Sequence, residues 1–366
     1  MKKGENEHSR RAFLSLAAAS AAGIGLGLSK LLEVLGAHGA DDQEVLATSP
    51  QLQACKANPR IPLVYSRHYN ISAFGLERLH PFDGCKFSKI HDYLIRDGFR
   101  RTDDFICPIN LAHEQLLKVH TPAYLESLKK SDVLARIFEL GAASLVPSFL
   151  LDSQILHPMR LAGGGTLLSC RLAMTEGLSI NIGGGYHHAD SDHGGGFCVY
   201  SDVPIALKIL QKEGKIKRAL VVDTDAHQGN GFANVLRKTG WGHVLDLFDE
   251  SIYPFPKVAE DISVPLPAGS RGDYYLGKLE NALPEAINHF KPDLIVYNAG
   301  SDVLDSDPLS TLRLMPVELR DRDLFVVSAA RQNNIPLAMV LAGGYSKESA
   351  SAHAKSIRAI LEKFDG

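Results

Sequence analysis

From about Ile61 the chain alternates short apolar runs with longer stretches whose apolar positions recur at helical spacing. The clearest apolar runs are LSINI (178–182), RALVVD (218–223), DLIVYNA (293–299) and LAMVLAG (337–343). Helix candidates lie around them at 164–176, 204–213 and 273–290. Alternation of this kind predicts an α/β fold built on a parallel sheet. No internal repeat interrupts the pattern. Residues 41–60 read as a polar linker, which leaves 61–366 as the folded domain.

Each of the four runs ends in residues that a strand interior would not carry. The first leads into Gly183–His188, the second into Asp223, Asp225 and His227, the third into Gly300–Asp302 and the fourth into Gly343–Tyr345. Ligands of open parallel sheets bind outside the carboxyl ends of the strands. Four polar clusters from four strand ends are therefore expected to meet at one edge of the sheet.

The chemistry of these clusters narrows the reading. In VVDTDAHQGNG (221–231), Asp223, Asp225 and His227 stand at i, i+2 and i+4 and share one face of an extended chain. A carboxylate and an imidazole two residues apart can grip one metal ion, although such pairs also cap helices and form ion pairs. Asp302 ends another strand and is either a turn residue or a third ligand, and three ligands with an open position is the pattern of catalytic zinc. In NIGGGYHHADSDHGGGF (181–197), two adjacent histidines lie between two glycine runs. His187 and His188 suit proton transfer beside an activated water, with Asp223 and Asn230 available to orient their other ring nitrogens. Tyr345 is a packing residue or, beside a metal, a hydroxyl that polarises a carbonyl. Phe197 and Tyr253 are core aromatics or the lining of a channel.

Composition changes the picture little in the domain and more at the N-terminus. The 366 residues are 45% hydrophobic and 22% charged, with a net charge of −3, and no basic patch argues for direct nucleic-acid binding. Arg10 and Arg11 precede an Ala- and Gly-rich apolar run that ends near Leu28. Residues 1–40 read as a bacterial twin-arginine export signal, which predicts an exported, periplasmic protein. An uncleaved signal would tether the protein to the membrane. Five cysteines (Cys55, Cys85, Cys107, Cys170 and Cys198) show no C-x-x-C spacing, and most are expected to be buried free thiols.

Together these motifs resemble the histone deacetylase superfamily, and within it the class IV enzymes. The resemblance spans about residues 60–362 and includes SRHYNISAFGLERLHPFDGCKF (66–87), LLKVHTPAYLESL (116–128), GGGTLLSCRLA (163–173), GGGYHHADSDHGGGFCVYSD (183–202), DTDAHQGNG (223–231), YNAGSDVLDSDPLS (297–310) and GGYS (343–346). It implies an arginase/deacetylase-like fold, a three-layer α/β/α arrangement around a mainly parallel eight-stranded sheet. The implied activity is zinc-dependent hydrolysis of the amide of an acylated lysine or a related small amine. By the same resemblance Asp225, His227 and Asp302 match the Zn2+ ligands, a site that Fe2+ also suits. His187 and His188 match the catalytic pair, Tyr345 the carbonyl-polarising tyrosine, and Asp223 and Asn230 the groups that orient the histidines. Asn230 fits the class II and class IV pattern, since class I enzymes usually carry aspartate there. Gly196 and Phe197 match the substrate-channel wall, and Asp246 and Leu247 stand near a structural K+.

Two other readings remain at this level. A manganese ureohydrolase of the same fold would need a second aspartate in a D-A-H-x-D run, and Gly229 occupies that place. A non-catalytic acyl-lysine-binding protein would tolerate decay of the motifs, and all the matched residues are present.

Overall fold

A computed structural model of the chain describes residues 60–72 and 80–365. The signal segment, all of the linker but Arg60, and Cys55 lie outside the described residues. Eight strands form one all-parallel sheet: β1 (Leu63–Val64), β2 (Phe105–Ile106), β3 (Leu178–Asn181), β4 (Ala219–Asp223), β5 (Gly242–Asp249), β6 (Ile262–Leu266), β7 (Leu294–Asn298) and β8 (Leu337–Val340). Their order across the sheet is β2-β1-β3-β8-β7-β4-β5-β6. Helices α1 (Lys86–Arg96), α2 (His157–Glu176), α3 (Asp202–Lys212), α4 (Asn230–Leu236), α5 (Gly272–Phe290), α6 (Pro316–Gln332) and α7 (Ser349–Phe364) flank it. α2 packs on β3 and β8 and carries α3, while α5 packs on α6, α6 on α7 and α7 on α1. This is the three-layer arginase/deacetylase architecture.

All residues of β3, β4, β7 and β8 are buried, as strands covered on both faces must be. Each buried Val, Ile or Leu there contributes about 1.5–3 kcal/mol over exposure. The four central strands therefore stabilise the sheet far more than the two-residue β1 and β2. β6 alternates between half-buried and exposed positions up to the buried Leu266 and contains Pro265. It is an edge strand, where a missing N–H breaks no ladder bond.

α2 begins at His157, seven residues before the start expected at 164, so Gly163, Gly164 and Gly165 lie inside a helix. Close packing explains them. A Cβ on Gly163 would stand 2.7 Å from Leu111 Cδ1, and one on Gly164 would overlap the Ile109 carbonyl. The cysteines depart from expectation in burial but not in state. Cys85, Cys107, Cys170 and Cys198 are all free, but Cys85 and Cys107 are exposed. They lie on short connecting segments where no layer covers them. Among the described residues no helix is long and apolar enough to cross a membrane.

Register brings the strand ends together. Asp223 pairs with Asp246 on one side and Asn298 on the other, and Asn298 pairs with Val340. The loops that follow β4, β7 and β8 thus leave the sheet side by side. β3 and β4 are consecutive in the chain but have β8 and β7 between them. A break of this kind in strand order opens a crevice at the carboxyl edge.

Candidate active site

The loops after β4 and β7 turn Asp225, His227 and Asp302 inward. Their ligand atoms all lie within 4.8 Å of one another, and all three residues are buried. Backbone amides fix the carboxylates. Asp225 accepts from the His227 N–H at 3.0 Å and the Gly343 N–H at 2.8 Å, and Asp302 accepts from the Ala226 N–H at 2.9 Å. His227 Nδ1 faces Asp302 Oδ2 at 2.9 Å and Asp225 Oδ1 at 3.2 Å. Burial, with Asp225 beside it, pushes the Asp302 carboxyl up to about 7. Burial opposes the charge on His227, but Asp225 and Asp302 outweigh it and hold the imidazole near 10. One positive charge thus sits among two buried carboxylates. Once a metal displaces the His227 proton, two oxygens and one nitrogen within 4.8 Å of one another are a donor set that fits a divalent transition metal.

His187 and His188 stand beside this cluster with ring centroids 4.1 Å apart. His187 Nδ1–H donates to Asp223 Oδ2 at 2.9 Å, and its Nε2 lies 3.6 Å from Asp225 Oδ1. His188 Nδ1–H donates to Asn230 Oδ1 at 2.7 Å, and its ring lies 5.9 Å from that of His227. The neighbours set opposite protonation states. Burial opposes a charge on His187, but Asp223 and Asp225 hold its pKa up at about 9. Burial, reinforced by His187 and His227, holds His188 well below its ordinary value. The pair therefore offers one charged and one neutral imidazole.

The glycines flanking the histidines make this approach possible. Gly196 has φ +50°, and a Cβ on it would run into the His188 ring. Asp202, the first residue of α3, accepts from the Gly185 and Tyr186 N–H groups, each at 2.9 Å, and pins the loop from outside.

Tyr345 lies across the site, its ring 6.1 Å from His227 and 5.9 Å from Phe197. Burial and the carboxylates of Asp225 and Asp302 push its phenol well above its ordinary pKa, so the hydroxyl is a donor at neutral pH. His187, His188, Gly196, Phe197 and Tyr345 line one cavity with an empty volume of about 870 Å³, open mouth included. The rest of its wall is largely apolar, with Ile71, Phe138, Leu140, Ile155 and Met159. Tyr253 is not among the lining residues. It is 39% exposed and packs edge-on against His188 at 4.9 Å.

Asp246 lies away from the cluster, in β5. Its Oδ2 accepts from the Gly229 N–H at 2.7 Å, and its carboxyl hydrogen-bonds that of Glu260. Burial and Glu260 push this carboxyl well up. Leu247 is buried and can offer a cation only its carbonyl.

Four polar residues that the pattern reading did not single out organise the site from behind. They are Asp202, Lys86, Asp307 and Arg322. Arg322 is fully buried, pairs with Asp323, and donates from Nη1 to the Gly300 and Thr224 carbonyls at 2.7 and 3.0 Å. Those carbonyls stand one residue before Asp225 and two before Asp302. A lysine or arginine within an amphipathic helix reads as surface, and only its burial reveals the role.

The profile of the family described as "Histone deacetylase domain" matches residues 80–361. The chain is 40% identical to histone deacetylase 2 of Arabidopsis thaliana over 301 residues, covering 81% of this chain and 78% of that protein. Among solved structures it is similar to the crystal structure of the HDA15 HD domain, with a TM-score of 0.66 and 20% identity, covering 82% of this chain and 90% of the other. It is similar also to an acetylpolyamine aminohydrolase from Burkholderia pseudomallei, with a TM-score of 0.65 and 18% identity, covering 82% and 98% of the two chains. At these identities the structural likenesses speak for the fold.

Proposed function

The chain belongs to the histone deacetylase family, and from that premise we propose that it is a zinc-dependent deacylase of an acylated lysine or related amine, closest to class IV. One observation carries the reading. The His187–His188 pair and Tyr345 line one largely apolar cavity, and the Asp225, His227 and Asp302 cluster lies against them, with Asp225 3.6 Å from His187 Nε2 and the His227 ring 6.1 Å from that of Tyr345. We place the acyl group, acetyl or longer, in this cavity of about 870 Å³ with its open mouth.

When bound, zinc supplies Lewis acidity and lowers the pKa of a water toward neutrality. His188 is the base. Its Nδ1–H is committed to Asn230, which leaves Nε2 of a neutral ring to take a proton from the attacking water. His187 stays charged beside Asp223 and stabilises negative charge as it develops. The Tyr345 hydroxyl donates to the carbonyl oxygen of the breaking amide. The departing amine takes its proton from the histidine pair, and free amine and carboxylate result.

Fe2+ suits the same donors as Zn2+. By the family resemblance, Asp246 and the Leu247 carbonyl are the candidates to flank a structural K+. We assign residues 1–40 to twin-arginine export and 41–60 to a linker, with the catalytic domain from 61. That makes the substrate an acylated peptide, protein or small amine outside the bacterial cytoplasm, with no direct role for nucleic acid. Arg10→Lys with Arg11→Lys should leave folded protein in the cytoplasm, and unchanged fractionation sinks the export reading.

The deciding experiment sets metal-loaded protein against acetyl-lysine peptides, longer acyl-lysine peptides and acetylpolyamines, with metal analysis alongside. One transition-metal ion per chain and amide hydrolysis are expected. Release of urea from a guanidino substrate such as arginine or agmatine by manganese-loaded protein would favour a ureohydrolase. Tight binding without turnover would favour a binding protein.

A further inference from the structure

The segment that carries Tyr345 is gripped by side chains from three other parts of the chain. Lys86, 1% exposed at the start of α1, donates from Nζ to the Ala342 carbonyl at 2.7 Å and the Gly343 carbonyl at 2.8 Å. Asp225 accepts the Gly343 N–H. Asp307 takes the amides that follow: its Oδ2 accepts from the Tyr345 N–H at 2.7 Å and the Ser346 N–H at 3.1 Å, and its Oδ1 accepts from the Leu309 N–H at 3.0 Å. The backbone between these grips is unusual, since Ala342, which carries a side chain, has φ +43°. A conformation of this kind persists only where the surroundings enforce it. Asp307 is 6% exposed. A carboxylate buried this far is costly unless its oxygens are hydrogen-bonded, and three amides meet that need.

We propose that Asp307 is a positioning residue for Tyr345, fixing the height of its hydroxyl above the site. The inference rests on the hydrolytic role given to Tyr345 above. Asp307 follows Asp302 by five residues on the loop after β7. One short segment therefore supplies a metal-ligand candidate and anchors the backbone of the tyrosine opposite it. Displacement of the segment moves both together and preserves their separation. A carboxylate that only closed its own turn would need the Leu309 amide and nothing more. The two remaining bonds both go to the tyrosine segment.

The test is a double-mutant cycle on the metal-loaded chain, comparing Asp307→Ala, Tyr345→Phe and the two combined, with kcat, KM and metal content read on an acyl-lysine peptide. Asp307→Ala should lower kcat by about 10²-fold, the cost of a misplacement of about 1 Å, with KM and metal content kept. Asp307→Asn keeps one acceptor oxygen and should recover part of the loss. In the Tyr345→Phe background Asp307→Ala should cost less than about threefold, because coupled residues are not additive. An equal loss in both backgrounds, or metal loss in step with activity, overturns the proposal. If Asp307→Ala does not fold, Asp307→Asn carries the same cycle. Amide exchange over residues 341–347 gives a readout free of activity: Tyr345 and Ser346 should exchange faster in either variant, and unchanged protection overturns the proposal. A parent chain that hydrolyses no acylated amine sinks the proposed function, and the exchange rates alone then decide on Asp307.

Discussion

The floor and the wall of the cavity are built by opposite means. The floor comes from the loops after β3, β4, β7 and β8. Asp223, Asp225 and Asp302 are fully buried, and both oxygens of each carboxylate are bonded. The wall comes from segments with little regular structure. Phe138 and Leu140 lie on a turn after a short helix, and Ile155 lies on one turn of π-helix ahead of α2. Beside them Leu145 and Phe149 are 81% and 64% exposed. A hydrogen-bonded floor tolerates no change without loss of its geometry. An apolar wall can change shape and alter only what fits. Chemistry should therefore fail with floor variants, and selectivity should shift with wall variants.

The largest effect is expected from Asp302→Ala. It removes one of the three proposed ligands and strands His227 beside a single carboxylate, so elemental analysis should find the site empty and hydrolysis abolished. Full metal occupancy in this variant would take Asp302 out of the site. Tyr345→Phe comes next. Loss of one donor to a developing oxyanion lowers turnover by about 10²–10³, while the metal stays bound. His188→Ala should do at least as much harm and His187→Ala somewhat less. Near-normal kcat in His188→Ala with normal metal content would make the histidines structural.

The same division governs what could be read from sequence. The floor was legible because strand periodicity stops where it begins. Polar residues crowd into Gly183–His188 and Asp223–His227 just where apolar runs end, and parallel strands send those ends to one edge. The wall was not legible. Ile155 and Met159 look like any other core positions of a helical stretch, and nothing in their spacing says that they face a cavity. Lys86 failed for a related reason. It opens an amphipathic helix, where lysine usually points to solvent, yet its Nζ caps two carbonyls of the Tyr345 segment. The start of α2 was missed because glycine runs argue against helix interiors. Here they answer a packing demand that only the tertiary fold creates.

Wall variants should give smaller, substrate-dependent effects. Ala143 is 1% exposed and lines the cavity among Leu140 and Phe138. Ala143→Leu adds bulk without polarity. It should lower kcat/KM for a long acyl-lysine by about 10-fold or more, the scale on which apolar pockets read added methylenes. Acetyl-lysine turnover and metal content should stay near the parent's. A uniform fall across all acyl lengths would mean that Ala143→Leu disturbs the floor, and the contrast between the two regions would weaken.

The smallest expected effect is on stability and concerns the polar member of the wall. His80 Nδ1 accepts from the Phe82 N–H at 3.0 Å, its Nε2–H donates to the Phe138 carbonyl at 3.2 Å, and its ring packs on Phe197 at 4.2 Å. Burial lowers its pKa to about 4, against an ordinary value of 6.5. The folded protein thus holds His80 neutral while the unfolded chain takes up a proton first as pH falls. The stability that follows from this is complete above about pH 6.5 and is lost progressively toward pH 4. His80→Phe removes the titration and keeps an aromatic ring against Phe197. Urea midpoints of the variant should fall less steeply than the parent's between pH 6.5 and 4, by on the order of 1–2 kcal/mol, since the half-buried ring keeps part of its solvation. Carboxylates elsewhere titrate alike in both proteins and cancel in the comparison. Parallel pH profiles for the two would mean that His80 is solvated in the folded state and does not seal the wall beside Phe197.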